Sequence, residues 1–153
     1  MESWQTAPPD LVRNEYPLEG MRRPIEDMYR AKHNVAMRLL ELIAESLGLA
    51  PDHFDSLHTS GKHRSVLRVT KYPALRAVTE KRGEGVSRIS PHQDLGTITI
   101  LSQDDKGGLE VQDKATGRWL PVKPVANSLV VNLGNLMMRW TNTTYRSSIH
   151  RVV

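Results

Sequence analysis

The chain has 153 residues, of which 39% are hydrophobic and 25% are charged, and its formal net charge is +4. This length and balance are typical of one folded domain with a buried core, and they exclude a disordered chain. Because the sequence contains no cysteine, disulfide frameworks, thiolate metal sites and cysteine nucleophiles are excluded, so that any metal must be held by histidine, carboxylate or backbone oxygen.

Hydropathy and charge also bear on location and partners. No stretch approaches the roughly 20 apolar residues that cross a bilayer, and the polar start MESWQTAPPD lacks the apolar centre of a signal peptide. We therefore expect a cytoplasmic protein with no membrane partner. Between His58 and Ser90, eight Lys and Arg accompany two Asp and Glu, but no nucleic-acid motif occurs there. We interpret this segment as a solvated loop, or as a basic approach to a small anion, and expect no nucleic-acid partner.

The first third of the chain is predicted to be an arm followed by a long helix. Residues 1–20 contain three prolines and no clear period, so an extended arm is expected there. A helix is predicted over residues 24–47, with Pro24 in its first turn and Gly48 as its stop. Apolar residues recur there at spacings of three, four or seven and predict one buried stripe: Ile25, Met28, Val35, Leu39, Ile43 and Leu47.

The remainder of the chain is predicted to be rich in β-structure. Short runs of branched and aromatic residues alternate with turns that contain Gly, Asn, Asp or Pro, which favours a β-sandwich, jelly roll or barrel. The runs are VLRVTKY, ISPHQD, TITIL, LEVQ, RWLPV, SLVVNL, MMRW and SSIHRVV. We therefore predict two regions, the arm and scaffold helix at 1–57 and a β-rich domain at 58–153.

Three polar residues in these strands could hold a metal. His92 and Asp94 are two residues apart, so on a strand their side chains point to the same face. With His150 they offer the two histidines and one carboxylate of non-haem iron(II) oxygenases, and zinc competes for the same ligands. From spacing alone, structural alternatives stay open. His92 could cap a turn, Asp94 could accept hydrogen bonds from backbone amides, and His150 could be a core histidine. Structural roles are expected for the other histidines: His33, His53, His58 and His63.

Two longer segments carry a family resemblance. SPHQDLGTITILSQDDKGGLEV and RWLPVKPVANSLVVNLGNLMMRWTNTTYRSSIHRVV resemble the iron(II)- and 2-oxoglutarate-dependent dioxygenases of the isopenicillin N synthase-like superfamily. That family has a His-x-Asp, a GTLTIL-like strand, a GGL.V turn, a G..VVN.GD hairpin and a TNG.Y.S..HRV segment in this order. The resemblance implies a mainly β fold with an N-terminal helix and a distorted double-stranded β-helix (jelly-roll) core. The helix at 24–47 is similar to the family's long spine helix.

The same resemblance implies residue roles and chemistry. His92, Asp94 and His150 would be the metal ligands for Fe(II), and Tyr72 would hydrogen-bond the cosubstrate 2-oxoglutarate. Asn135 stands where the family usually has aspartate. The implied enzyme couples decarboxylation of 2-oxoglutarate by dioxygen to hydroxylation or desaturation of a small organic metabolite, in secondary metabolite biosynthesis, with ascorbate as a further cofactor. Inward residues of TITIL, LEVQ and SLVVNL would form the inner wall.

One departure from the family concerns the C-terminus. The family anchors 2-oxoglutarate with an Arg-x-Ser beyond the second histidine, whereas this sequence stops at Val153. By strand alternation Arg151 would face away from the iron side and could not substitute. We therefore expect a core that is incomplete at the C-terminus and an internal piece of a longer protein, whether a fragment, a truncated gene product or a partial gene model. An oxygenase of this fold that does not use 2-oxoglutarate and a catalytically inert remnant stay open as alternatives.

Overall fold

The computed structural model describes residues 2–9, 14–59, 63–72 and 87–153. The chain divides into two compact units, Met1–Tyr72 and Pro73–Val153. The predicted division into 1–57 and 58–153 stays a prediction, and most of the basic segment between His58 and Ser90 lies outside the described residues. Within the described ranges, every helix is too short or too polar to span a bilayer.

The first unit combines a long helix with a two-stranded sheet. Its elements are β1 (Glu2–Thr6), α1 (Arg22–Ser46), α2 (Asp55–Thr59) and β2 (Leu67–Lys71). β1 pairs antiparallel with β2, with Trp4 opposite Val69. Part of the predicted extended arm is therefore a strand, and the short α2 was not predicted. The buried cluster contains Ile25, Tyr29 and Leu67, with Trp4, Tyr16 and Met21 packed against it.

The helix α1 confirms the prediction of a long N-terminal helix, but not all of its predicted stripe. It ends as predicted before Gly48, whose φ of +71° favours glycine. Met28 and Val35 are 45% and 38% exposed, so that part of the predicted stripe is wrong. The buried residues of α1 form two pairs at four-residue spacing, Ile25 with Tyr29 and Leu40 with Ala44.

The second unit is built from antiparallel strands. They are β3 (Ile89–His92), β4 (Ile98–Leu101), β5 (Leu109–Gln112), β6 (Trp119–Pro121), β7 (Val130–Leu133) and β8 (His150–Val152), with α3 (Asn135–Trp140) after β7. One sheet has the order β3-β8-β5-β6 and the other pairs β4 with β7. The last strand thus lies between β3 and β5, a crossing of the kind found in jelly rolls.

The prediction of a strand at MMRW is wrong, because these residues belong to α3. Leucine, methionine and arginine are good helix formers. The first amides of the helix also find acceptors outside it, since Asn135 N donates to Asp94 O and Leu136 N donates to Gly96 O. Each of the other seven predicted runs contains a strand.

Candidate metal centre

The two histidines of the predicted triad face each other across a strand pair. β3 and β8 are antiparallel, and His92 lies directly opposite His150, with a register irregularity between Ile89 and His92. Side chains of directly opposed residues stand on the same face of a sheet. The two imidazole centroids are accordingly 4.3 Å apart, with their planes at 54°.

Backbone carbonyls determine which nitrogen of each imidazole is available. Nδ1 of His92 lies 2.9 Å from Ser90 O, and Nδ1 of His150 lies 3.2 Å from Ser148 O. A carbonyl oxygen only accepts, so Nδ1 carries a proton in both rings and Nε2 is the nitrogen that is available to a metal. Metal-binding histidines in proteins are oriented in this way.

Asp94 adds a carboxylate between the two rings. Its Oδ1 lies 3.6 Å from His92 Nε2 and 3.7 Å from His150 Nε2. Its Oδ2 accepts hydrogen bonds from Thr99 Oγ1 at 2.6 Å and from Asn132 Nδ2 at 2.7 Å. Burial by itself raises the pKa of this carboxyl, but the hydrogen bonds from Asn132 and Thr99 and the neighbouring histidines outweigh it. The net effect lowers the pKa of Asp94 and favours the anion that a cation requires.

The two residues that bind Oδ2 are neighbours in the other sheet. Thr99 of β4 lies directly opposite Asn132 of β7. A carboxylate that follows β3 is therefore held by the β4–β7 pair. Sequence reasoning did not assign either residue a role. The available signal was the alternation in TITIL, which places Thr99 on the face opposite to that of the isoleucines on either side of it.

The loop that carries Asp94 is also tied to the start of α3. Gly134 N donates to Thr97 O at 3.0 Å, and Asn135 N donates to Asp94 O at 2.7 Å. A Cβ at Gly134 would clash with Gly96 O and would lie 2.9 Å from Asp94 O. Only glycine fits where the two backbones approach so closely. Asn135 Oδ1 is buried and has no hydrogen-bond partner among the described residues.

A further link joins the two ligand segments. Gln93 lies between His92 and Asp94, and its Nε2 donates to Ser147 O at 2.8 Å. Ser147 is buried and lies three residues before His150. The middle residue of HQD therefore ties the segment of the first two candidate ligands to the segment of the third.

The donor set fits an iron(II) ion. One ligand atom from each of His92, Asp94 and His150 lies within 4.8 Å of the others, and among the described residues they are the one group of three or more potential ligands that meets this distance. Two ligands at right angles, each about 2.1 Å from an ion, lie about 3 Å apart. The observed separations of 3.6 and 3.7 Å therefore require only small side-chain movements. Two imidazoles and one carboxylate match the facial set of non-haem iron enzymes.

The other singled-out residues have contacts of their own. Arg151 donates to Glu110 at 2.6 Å and stacks over Trp119 at 4.2 Å, which confirms that it faces away from the candidate ligands. Among the remaining histidines, His33 stacks against His63, and His58 Nδ1 lies 2.8 Å from Phe54 O. Tyr72 directly follows β2 in the first unit, and its contact with 2-oxoglutarate stays a prediction.

Comparison with known proteins identifies the family. The sequence profile described as the 2OG-Fe(II) oxygenase superfamily matches residues 50–153. The chain belongs to this superfamily. Its resemblance to iron(II)- and 2-oxoglutarate-dependent dioxygenases, recognised from the motifs around His92 and His150, is thereby confirmed.

Curated relatives and solved structures agree with this membership. The 2-oxoglutarate-dependent dioxygenase citB of Monascus ruber is 42% identical over 137 residues, which are 90% of this chain and 41% of that protein. The proline hydroxylase buaE of Petromyces alliaceus is 38% identical over 94% of this chain and 44% of its own length. A full-length Neurospora crassa protein, crystallised in complex with alpha-KG, superposes with a TM-score of 0.87 at 30% identity, over 99% of this chain and 47% of that one.

These matches confirm the predicted mainly β, jelly-roll fold with its N-terminal helix. The chain spans less than half the length of these three proteins.

Proposed function

We propose that this chain carries the iron site of a 2-oxoglutarate-dependent dioxygenase that hydroxylates or desaturates a small organic metabolite. One observation carries the proposal: the Nε2 atoms of His92 and His150 and the Oδ1 of Asp94 converge on one point. The family of the chain supports iron as the metal and 2-oxoglutarate as the cosubstrate.

The three residues would contribute different ligands to the ion. The two histidines would bind an ion through Nε2 without adding charge, and Asp94 would add one negative charge, so that a bound divalent cation would keep a net positive charge. Among the described residues no fourth histidine or carboxylate joins this group, so the remaining positions on a bound ion would be open to other ligands. There the bound iron would supply, together with 2-oxoglutarate and dioxygen, the oxidising capacity of the reaction.

The substrate class is supported by relatives. One relative is named as a proline hydroxylase, and the Neurospora crassa protein was also crystallised with thymine. Proline and thymine are both small polar organic molecules, which supports a small-molecule substrate for this chain. Tyr72 is proposed to contact 2-oxoglutarate, as the family resemblance implies. Ascorbate use and a cytoplasmic location stay predictions.

Metal and cosubstrate binding test the proposal directly. The purified chain is mixed anaerobically with iron(II) and 2-oxoglutarate, and the visible spectrum is recorded; a weak charge-transfer band is expected when both bind to one site. Admission of air should then release succinate. Asp94→Ala should abolish iron retention because it removes the only carboxylate among the three converging groups. Asp113→Ala is the matched control, because that carboxylate lies in a surface turn and binds Thr116.

The outcomes separate the alternatives. Iron retention that is unchanged in Asp94→Ala contradicts the proposed site. Retained iron without the band indicates an oxygenase that does not use 2-oxoglutarate. A band without succinate release indicates a catalytically inert chain.

A further inference from the structure

We propose that Thr99 and Asn132 act as a clamp on Asp94 which leaves that carboxylate a single oxygen for the metal. The clamp comprises these two side chains, and its role rests on the proposed iron site. Neither residue would touch the ion, so both are positioning residues that act through Asp94.

The two oxygens of Asp94 have different surroundings. Oδ1 faces the Nε2 atoms of both histidines, at 3.6 and 3.7 Å. Oδ2 accepts two short hydrogen bonds, from Thr99 at 2.6 Å and Asn132 at 2.7 Å. Hydrogen bonds to a charged acceptor are about twice as strong as neutral ones. Turning Oδ2 towards a metal would break both bonds and leave two partly buried donors without an acceptor.

The clamp is stiff because of its place in the fold. Thr99 and Asn132 are direct partners in a ladder that runs from Ile98↔Leu133 to Leu101↔Val130. Threonine is branched at Cβ, which restricts its χ1 rotation. The two donors therefore approach Oδ2 from adjacent strands whose spacing the ladder sets, and the carboxylate cannot rotate without disturbing them.

A one-oxygen carboxylate matters for the proposed chemistry. Carboxylates also bind metals through both oxygens, and a second oxygen from Asp94 would occupy one more coordination position. The iron oxygenase needs its open positions for cosubstrate and dioxygen. The clamp would therefore keep the side of the ion opposite the protein ligands free.

Infrared difference spectroscopy measures the binding mode directly. The full chain, with ¹³C-carboxylate aspartate, is titrated with Co²⁺, and the bands that change are assigned to Asp94 by their loss in Asp94→Ala. A carboxylate bound through one oxygen shows a wide separation between its antisymmetric and symmetric stretches, and one bound through both shows a narrow separation. We expect a wide separation in the wild-type protein. The double variant Thr99→Val, Asn132→Leu keeps similar side-chain shapes but removes both donors. It should show a narrower separation between the two stretches.

Two further variants separate the clamp from a general structural role. Thr99→Ser keeps the hydroxyl and should retain the wide separation. Thr116→Val is the matched control, because Thr116 donates to Asp113 at the same 2.6 Å in a surface turn, and it should leave the spectrum unchanged. Circular dichroism verifies folding, and Thr99→Val alone provides the test if the double variant does not fold.

A separation that is already narrow in the wild-type protein, or one that stays wide without the donors, overturns the clamp while leaving the metal site intact. Absence of any Co²⁺-dependent band in the wild-type protein instead overturns the proposed metal site and the clamp with it.

Discussion

His92 and His150 are direct partners in the β3–β8 ladder, and their rings lie 4.3 Å apart. Because neighbouring residues on a strand point to opposite faces, a shift of the register by one residue would move one imidazole to the other side of the sheet. The two rings are separated by 58 positions in the chain, so their meeting depends on strand pairing. Contacts that hold this register therefore hold the candidate metal site.

Gly134→Ala should destabilise the protein. The added Cβ would lie 2.8 Å from the Gly96 carbonyl carbon and 2.9 Å from Asp94 O, and overpacking of this kind costs about 1–3 kcal/mol. Urea denaturation measures the loss, and Co²⁺ affinity should fall with it because the loop of Asp94 must move. Gly96→Ala is the control, since a Cβ there meets nothing within 4 Å. If the two variants are equally stable, the close approach of the backbones at Gly134 does not exclude a Cβ there.

Gln93→Met should weaken the connection between the two ligand segments. Methionine has a similar length but cannot donate to Ser147 O, so this partly buried carbonyl loses the hydrogen bond from Gln93. We expect a loss of about 1 kcal/mol in the free energy of unfolding. Gln112→Met is the control, because the amide of Gln112 donates to Gly117 O in an exposed turn. If both variants lose the same stability, the link to Ser147 has no special importance.

Thr143→Gly should stabilise the turn after α3. Thr143 has a φ of +64°, and a β-branched residue is strained in this region, by about 1–2 kcal/mol. Glycine relieves the strain but adds freedom to the unfolded chain, so a net gain of up to about 1 kcal/mol is expected. The family pattern TNG.Y has glycine at this position. Thr144→Gly, next in the chain and without a positive φ, should lower the melting temperature; a gain there would refute the strain explanation.

The stability of the first unit should fall in mild acid because of His63. Burial, and then the nearby His33 and His58, hold the pKa of His63 below its usual value of 6.5. The unfolded chain therefore binds more protons below about pH 6.5, and the free energy of unfolding decreases as the pH falls through this window. His63→Phe keeps a ring beside His33 and removes the titrating group. Its urea midpoint should change less than that of the wild-type protein between about pH 7.5 and pH 5. If the urea midpoints of the two proteins change equally with pH, a group other than His63 causes the loss of stability in acid.

Much of the β-rich unit could be predicted from local sequence. Period-two runs such as TITIL and LEVQ became strands, because alternation suits a half-buried sheet. The failure at MMRW has a physical reason: a short apolar run is compatible with a helix or a strand. Here the carbonyls of Asp94 and Gly96, distant in the chain, accept the first amides and favour the helix. Met28 and Val35 were wrongly included in the buried stripe of α1, because periodicity does not show which side of a helix the rest of the protein will cover.

The sequence by itself determined the family and the residue types of the candidate site, since His92, Asp94 and His150 occur within a motif order that local pattern reveals. The tertiary structure alone decided how Asp94 is held. Thr99 and Asn132 reach its Oδ2 because the β4–β7 register makes them partners. A register depends on pairing between distant strands, and the free energy of that pairing is not contained in any local stretch of sequence.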